Sequence, residues 1–597
     1  MPTSSPYLPQ WGAHLQKGNR GRFRLWAPRV DRLSLRLDDQ DRPMTAVGGG
    51  WFAAEVDGAQ PGMDYAFVLP DGMVVPDPAS QQQRGDVHGT SLLVDHGGYR
   101  WQHPDWCGRP WTEAVVYELH VGTFTPEGTF RAAAERLKHL AELGITAVEL
   151  MPIGQFPGGR GWGYDGVLPY APHPTYGSPD DLKHLIDQAH GLGLMVLLDV
   201  VYNHFGPEGN YLSAYAPEFF DGKRHTPWGA GIAYEKQPVR RFFIDNALYW
   251  LDTFRFDGLR LDAVDQIIDV AEPELLIELA RTVRASITGR HIHLVTEDNR
   301  NVAHLHRREG RRPLHYTAEW NDDFHNAAHV LLTAETEGYY TDFAEDAFDK
   351  VVRCLAEGYA YQGECSAHEG GRPRGEPCGE LPTTAFVNFL QNHDQVGNRA
   401  LGERLEVLAT PERILALEAI MLLAPHVPLL FMGEDWAARQ PFLFFTDYEG
   451  ELADMVREGR RQEFSGFSAH GEAEAVPDPN DEATFLRSVL DWSAADTPEG
   501  KARLAFIRSL LALRHRHIVP LLDDGGPSES LVLASDGGAL AINWTMAGRL
   551  LQLRANLAEE RQSVPGIEGK VIHPAEGCAK GAALVLDPWS VVVAIGD

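Results

Sequence analysis

Eight apolar, strand-like segments alternate with amphipathic helical segments from about residue 110 to residue 435. The strand-like segments are AVVYELHVG, ITAVELMPI, LMVLLDVVYNH, FRFDGLRLDAVD, HIHLVTED, LHYTAEW, TAFVNFLQNHD and PLLFMGED. One helical segment, SPDDLKHLIDQAHGLG, carries its own signals: Ser178 can cap it, Pro179 suits its first position, and Gly191 and Gly193 can end it. Eight strand–helix alternations predict a closed (β/α)8 barrel, an α/β fold, rather than an open sheet.

Different patterns flank the predicted barrel on both sides. Residues 1–98 contain short strand-like runs (RFRLWAP, LSLRL, WFAAEV, DYAFVL) separated by Gly, Pro and Asp, which predicts an N-terminal Ig-like β-sandwich. Residues 529–597 contain SLVLASD, GALAINW, LLQLRANL, AALVLD and SVVVAIGD, which predict a small antiparallel β-domain. The barrel is therefore assigned to residues 99–528.

Composition excludes several classes of function. The net charge of −31 argues against a nucleic-acid partner, because phosphate binding requires patches of Lys and Arg. Neither an apolar signal core at the N-terminus nor an apolar run near 20 residues is visible, so no membrane association is expected. The five cysteines are far apart, which favours a reducing, cytoplasmic compartment. The tryptophans in WGAH and WFAAEV are either core residues or a glycan-binding surface of the sandwich.

The fourth strand-like segment contains an ion pair where a buried strand should be apolar. Arg260 and Asp262 are two residues apart, so in a strand they share one face. A buried ion pair costs desolvation and rarely stabilises a fold more than an apolar pair does. The pair therefore favours a functional interpretation.

Polar residues also end several of the other predicted strands. Active sites of such barrels lie at the carboxyl ends of the strands. The residues at those ends are Asp199, Asn203, His204, Arg260, Asp262, Glu297, His393 and Asp394. Each alone could be a helix cap, an exposed loop residue or a structural histidine, but together they favour one site. The long connections at 205–237, 358–381 and 437–497 are predicted to be active-site loops.

The residue types favour glycoside hydrolysis over metal chemistry. The histidines are scattered and no H-E-x-x-H motif occurs, which disfavours a metallohydrolase. Two carboxyl groups, one ionised and one protonated, suit glycoside cleavage. Arg260 is expected to lower the pKa of Asp262 and keep it anionic, whereas Glu297 would need a raised pKa to donate a proton.

Four of these segments resemble the motifs of the α-amylase family of glycoside hydrolases. They are DVVYNH (199–204), GLRLDAVD (258–265), TEDN (296–299) and FLQNHD (389–394), in the family's order. The resemblance implies that Asp262 is the nucleophile, Glu297 the acid/base, and Asp394 the carboxylate that binds ring hydroxyls. It also implies substrate contacts or charge tuning by Arg260, His204, His393, Tyr164 and Asp165 of WGYDG.

Within this family, three segments are similar to those of the trehalose-releasing members: VYNHFGPEGNYL, EWNDDFHNAAH and RRQEFSGF…VPDPNDEATF. That similarity implies a retaining hydrolase that cleaves the α-1,4 bond next to the terminal trehalose of malto-oligosyltrehalose. Such an enzyme acts downstream of a maltooligosyltrehalose synthase in trehalose biosynthesis. The alternatives are a branching or isoamylase-like debranching enzyme, or an inactive glycan-binding barrel that should lack one of the three carboxylates.

Two expectations concern the loops around the site. In EWNDDFH, Asp323 and Phe324 are predicted to contact trehalose, although Asp323 could instead cap a helix that starts near His325. Calcium-binding members of the family have a longer loop after the third strand, and the asparagine that matches Asn203 helps to bind the ion. The loop here is short and has no obvious oxygen cluster, so we expect neither a metal nor another cofactor.

Overall fold

A closed barrel of eight parallel strands forms the centre of the protein, as predicted. The computed structural model describes residues 9–226, 229–464, 476–522, 529–574 and 583–596. The barrel strands, joined in chain order with β8 pairing back to β1, are β1 (Val116–Leu119), β2 (Ala147–Leu150), β3 (Met195–Val200), β4 (Gly258–Leu261), β5 (His293–Thr296), β6 (Ala318–Trp320), β7 (Phe386–Phe389) and β8 (Val427–Phe431).

Helices cover most of the strand connections. The longer ones are α1 (Phe130–Leu143), α2 (Pro179–Gly191), α3 (Gln237–Leu248), α4 (Leu275–Ser286), α5 (Asp322–Thr333), α6 (Ala347–Glu357), α7 (Pro411–Leu423), α8 (Gly450–Phe464), α9 (Glu482–Ser488) and α10 (Pro498–Leu513). The expected alternation fails once. Residues 297–317, between β5 and β6, contain a 3-10 turn at His304–His306 and a hairpin of Arg308–Glu309 with Arg312–Pro313, and no α-helix.

Local signals determine where α2 begins and where it ends. Ser178 accepts from the amide of Asp181, and Asp181 accepts from the amide of Ser178, so a capping box starts α2 at Pro179. The predicted end at Gly191 and Gly193 is confirmed. Gly191 is the last helical residue, and the chain turns at Gly193, whose φ of +77° suits glycine.

The N-terminal strands form two facing sheets. One contains His14–Gln16, Arg20–Trp26, Trp51–Asp57 and Thr45–Gly48, and the other Gln40–Pro43, Ser34–Leu37, Asp64–Val68, Val74–Val75 and Ser91–Leu92. The tryptophans considered for glycan binding are core residues: Trp11 is 1% exposed and Trp51 is 8% exposed, with their rings 5.0 Å apart. Trp11 also packs on Phe242 of α3, so the sandwich is joined to the barrel.

The C-terminal strands form an antiparallel five-stranded sheet and a two-stranded one. The larger sheet contains Glu529–Asp536, Ala539–Met546, Arg549–Asn556, Ser590–Gly596 and Lys570–His573, and the smaller one Gln562–Pro565 and Ala583–Leu586. The boundaries placed at 98/99 and 528/529 stay predictions.

The connections predicted to be active-site loops contain regular structure of their own. Residues 205–237 include a hairpin of Phe220–Thr226 with Gly229–Ile232, and 437–497 include α8 and α9. The motif segment RRQEFSGF runs past the end of α8 into residues 465–475, which lie outside the described residues. In the described part of the chain, no helix has both the length and the apolar character needed to cross a bilayer.

Strand β4 is shorter than its sequence pattern suggested. It ends at Leu261, so Arg260 lies inside the strand and Asp262 immediately after it. Glycine opens the strand because a Cβ at Gly258 would lie 2.4 Å from the carbonyl oxygen of His293 in β5. The close approach of β4 and β5 brings the residues that follow both strands into one place.

Candidate active site

Charged residues from three adjacent strands meet at one end of the barrel. Asp199 in β3 pairs in register with Arg260 in β4, and both side chains are about 1% exposed. Asp262 follows β4 and Glu297 follows β5, with side chains that are 13% and 16% exposed. These two carboxylates are therefore the parts of the cluster that a ligand can reach.

The guanidinium of Arg260 joins three carboxylates. Its Nη1 donates to Asp199 Oδ2 over 2.5 Å and to Asp262 Oδ1 over 3.1 Å. Its Nη2 lies 2.6 Å from Glu297 Oε2. The charge centre also lies 4.2 Å from the ring centre of Trp320, which adds a cation–π contact. One cation thus fixes the relative positions of the three acids.

Asp262 is held on both sides. Its second oxygen accepts from Asn203 Nδ2 over 2.8 Å, and the same amide donates to the Asp262 carbonyl. The next residue, Ala263, has a φ of +38°, a strained conformation that turns the chain sharply at the strand end. Burial raises the pKa of Asp262, and Arg260 only partly opposes this. The expectation that Arg260 would give a net lowering of this pKa is therefore wrong, because desolvation outweighs the ion pair.

Glu297 has the environment expected of a proton donor. Its Oε2 accepts from the Ala263 amide over 2.9 Å, so the carboxyl group faces the same turn as Asp262. Burial and the negative charge of Asp262 raise the pKa of Glu297, and Arg260 opposes them. A carboxyl group in such surroundings retains its proton to higher pH than an exposed glutamate.

Asp394 lies in the short helix His393–Gly397 that follows β7. Asn392 caps this helix by accepting from the Asp394 amide over 2.9 Å, and Asn398 donates to Asp394 Oδ1 over 2.6 Å. Burial raises the pKa of Asp394, whereas the charge of the neighbouring His393 lowers it. The side chain is half-buried.

Aromatic rings line one side of the cluster. Tyr164 donates to Asp199 Oδ2 over 2.6 Å, and its ring stacks on His393 at 5.1 Å between centres. Trp162 meets His393 edge-on at 5.6 Å. Tyr164 is half-buried, so it combines a fixed hydroxyl with a ring face near the acids.

Two residues predicted to contact substrate make contacts within the protein. His204 Nε2 donates to the carbonyl of Tyr164 over 2.9 Å and its Nδ1 contacts Asn203 Oδ1, so the ring joins those two residues. Burial lowers the pKa of His204 to about 4. Asp165 is half-buried and hydrogen-bonds to Tyr448 in the connection after β8.

The structure contradicts the prediction that Asp323 and Phe324 face a bound sugar. Both are 0% exposed. Asp323 Oδ2 accepts from Asn301 Nδ2 and from the amides of Ala360 and Tyr361 at 2.8–2.9 Å, and its Oδ1 pairs with an arginine. The alternative, a cap by Asp323, is also wrong: α5 begins at Asp322, with Asn321 as its N-cap. Asp323 instead anchors the connection after α6.

The preceding residue, Asp322, faces the acids. It is half-buried, and Gln395 Nε2 donates to its Oδ1 over 3.3 Å. Burial and the charges of Glu297 and Asp394 raise the pKa of Asp322 to about 8. The sequence favoured Asp323 instead, because the helix was expected to start near His325, three residues after its actual start.

The side-chain oxygen of Asn203, the atom type that a calcium ion binds, contacts His204 Nδ1. The side-chain nitrogen of Asn203 donates to both the backbone carbonyl and the carboxylate of Asp262. Within the described ranges, no group of three or more His, Cys, Asp or Glu residues is arranged to hold a metal ion.

Comparisons with known proteins agree with this site. Residues 83–226 match the catalytic domain of α-amylases, and residues 528–593 match a domain of unknown function, DUF3459. The chain is 43% identical to a malto-oligosyltrehalose trehalohydrolase from Deinococcus radiodurans, over 93% of this chain and 91% of that protein. It is 38% identical to one from Saccharolobus solfataricus, over 83% and 85%.

The chain belongs to the malto-oligosyltrehalose trehalohydrolase family.

Solved structures extend the comparison. A putative α-amylase from Salmonella typhimurium is 51% identical, with a TM-score of 0.95 and 99% of this chain covered. A pullulanase from Anoxybacillus, at 17% identity and a TM-score of 0.72, shares the fold. The chain is thus a glycoside hydrolase of the α-amylase type. It has a carboxylate at each of the three motif positions discussed above, Asp262, Glu297 and Asp394.

Adjacent substitutions can separate the roles of the two aspartates of α5. We expect Asp322→Asn to lower kcat/KM about 10- to 100-fold, as for loss of a 1.5–3 kcal/mol hydrogen bond, with little change in melting temperature. We expect Asp323→Asn to cost about 3 kcal/mol of stability, because it removes one partner of a buried ion pair. Kinetics and calorimetry on both variants test this. A stable Asp323→Asn protein with selectively impaired kinetics would contradict the assignment.

Proposed function

We propose that this enzyme hydrolyses the α-1,4-glucosidic bond next to the terminal α,α-trehalose of malto-oligosyltrehalose, releasing trehalose and a maltodextrin. One observation carries the proposal. Asp262 and Glu297 both pair with Arg260, and Asp394 lies close enough to Glu297 and Arg260 for their charges to act on it, in a chain that matches a trehalohydrolase over 93% of its length. Relatives of the same name span 83–96% of the chain.

In the first step, Asp262 acts as the nucleophile. Its carboxylate attacks the anomeric carbon of the glucose on the maltodextrin side of the bond, while Glu297 gives its proton to the bridging oxygen. The bond breaks, trehalose leaves with that proton, and a covalent glucosyl ester remains on Asp262. The Asn203 amide and Arg260 hold the attacking carboxylate in place.

In the second step, Glu297 acts as the base. It takes a proton from water, which attacks the same carbon and releases the maltodextrin from Asp262, so the configuration is retained. Retaining pairs of carboxylates are closer together than inverting pairs, which leave space for a water molecule. Asp262 and Glu297 bind the same guanidinium, which supports the retaining assignment.

The remaining residues would hold the sugar on the maltodextrin side. Tyr164 offers a ring face, and His393 and Asp394 offer hydrogen bonds to ring hydroxyls. Arg260 and His204 act indirectly in this proposal. Arg260 orients the acids, whereas His204 holds Asn203 and the backbone at Tyr164.

Asp322 is our candidate for recognition of the departing trehalose. Trehalose has two rings joined 1,1, so its outer ring presents hydroxyls in a different direction from those of a maltose unit. A site that hydrogen-bonds these hydroxyls discriminates strongly, because the wrong sugar leaves its groups unpaired. Asp322 is half-buried, and after burial itself the charge of Glu297, the proposed proton donor to trehalose, helps to raise the pKa of Asp322.

The alternatives have less support. A branching enzyme from Rhodospirillum rubrum is 35% identical, but over 43% of this chain only. The likeness to pullulanases concerns the fold alone. An inactive barrel should lack an acid, whereas Asp262, Glu297 and Asp394 all lie at the site.

The proposed substrate implies a place in a reaction sequence. Malto-oligosyltrehalose requires an enzyme that converts the reducing end of a maltodextrin into a 1,1 linkage, so a maltooligosyltrehalose synthase would act before this hydrolase. We also propose a cytoplasmic location, supported by free cysteines at the four described positions, two of them exposed; Cys578 lies outside the described residues.

A matched pair of substrates tests the proposed function. Maltopentaose and its trehalose-ended counterpart are incubated separately with the enzyme, and free trehalose and new reducing ends are measured. We expect rapid release of trehalose from the second substrate and much slower cleavage of the first. Equal rates on both, or formation of α-1,6 branches without trehalose, would contradict the proposal.

Substitution of the proton donor tests the assigned roles. Glu297→Gln should lower kcat on the natural substrate by about 10²- to 10⁴-fold, because general acid catalysis is lost. The loss should be much smaller on an aryl glycoside with a good leaving group, which needs little protonation. Near-normal turnover of the natural substrate by this variant would show that another residue donates the proton.

A further inference from the structure

A second buried ion pair lies beside the three acids and has no role in the mechanism above. Glu118, in β1, meets His393, which follows β7. The Nδ1 atom of His393 lies 2.5 Å from Glu118 Oε1, and the His393 amide donates to Glu118 Oε2 over 3.0 Å. The side chains are 1% and 3% exposed. Both oxygens of the glutamate are therefore committed to one residue that lies 275 positions later in the chain.

These contacts fix the direction of the imidazole. Because Nδ1 contacts Glu118, Nε2 is the ring nitrogen that remains for a ligand. Stacking on Tyr164 and the edge contact with Trp162 fix the plane of the ring. The hydrogen bond from the His393 backbone amide to Glu118 Oε2 also holds the start of the helix that carries Asp394.

The pair also determines the charge of the imidazole. Burial alone would lower the pKa of His393, but Glu118 reverses this and the pKa is raised. The other charged groups that act on the ring are Asp394, which favours the cation, and Arg260, which opposes it. In turn, the His393 cation lowers the pKa of Asp262, Glu297 and Asp394. The charge of His393 also acts on His120 and Asp199, where it lowers the pKa of both side chains.

We propose that Glu118 is a positioning residue of the active site, which holds His393 as a cation with Nε2 directed at a hydroxyl of the bound sugar. The inference rests on the proposed function, since it concerns the same site. Glu118 touches neither substrate nor the reacting atoms. It acts through His393, whose positive charge favours the ionised form of the nucleophile Asp262.

The barrel provides a matched control in the adjacent strand. Glu149 of β2 is paired with Glu118 in the register of the two strands and is 2% exposed. Its Oε1 has no partner in the described structure, and burial raises its pKa strongly. Glu149→Gln therefore changes a buried glutamate of the same layer and leaves the Glu118–His393 pair intact.

The experiment compares pH profiles of kcat and KM for malto-oligosyltrehalose hydrolysis in the wild type, Glu118→Gln, Glu118→Asp and Glu149→Gln, with melting temperatures as a check on folding. Glu118→Gln removes the negative charge that keeps His393 cationic, and without that cation Asp262 is harder to ionise. The acidic limb of kcat/KM should therefore move to higher pH by about one unit. Near this limb the rate should fall about tenfold. Glu149→Gln should leave the limb in place.

Glu118→Asp keeps the charge but shortens the reach to Nδ1. We expect its acidic limb to stay within about 0.3 unit of the wild type, while KM rises because the ring is less well oriented. This variant keeps the inference testable if Glu118→Gln does not fold. A shift of the acidic limb in Glu118→Asp would overturn the inference. So would a Glu118→Gln limb at the wild-type pH, or one displaced by the same amount as the limb of Glu149→Gln.

Failure of the proposed function is distinguishable from failure of this inference. If the wild-type protein cleaves another α-glucan and releases no trehalose, the proposed function is wrong. The same four proteins compared on the glucan that is cleaved would still show whether Glu118 sets the acidic limb.

Discussion

The interaction on which the site depends is the contact of one buried guanidinium with three carboxylates. Arg260 lies between Asp199, Asp262 and Glu297, all at 2.5–3.1 Å. A single positive charge cannot neutralise three negative ones in a space with little water, so the cluster retains protons that exposed acids would lose. Burial therefore raises the pKa of the acids as a group, and Arg260 opposes this rise.

Pairing between adjacent strands is enough to position these groups. Parallel pairing aligns Asp199 with Arg260 across β3 and β4, and the glycine at position 258 lets β4 approach β5 closely. The chain then turns sharply at Ala263, whose amide donates to Glu297. Strand register and one strained residue thus bring the proposed nucleophile and proton donor to the same guanidinium.

Much of this arrangement could be predicted from the sequence, and the exceptions have physical reasons. Most residues of the buried parallel strands are apolar, so all eight barrel strands were recognisable. The aspartate of α5 that faces the acids was missed by one position, because successive helix residues point about 100° apart and the helix starts at Asp322. Glu118 was missed because it stands in an apolar strand, and its partner His393 is adjacent only in the folded barrel.

The central claim is that Asp262 and Glu297 act as a retaining pair on a trehalose-ended substrate. Proton NMR during hydrolysis of malto-oligosyltrehalose tests it most directly, because it detects both free trehalose and the anomeric proton of the new reducing end before mutarotation. The account predicts trehalose together with an initial excess of the α-anomer on the maltodextrin. An initial excess of the β-anomer, or an α-anomer without trehalose, would contradict it.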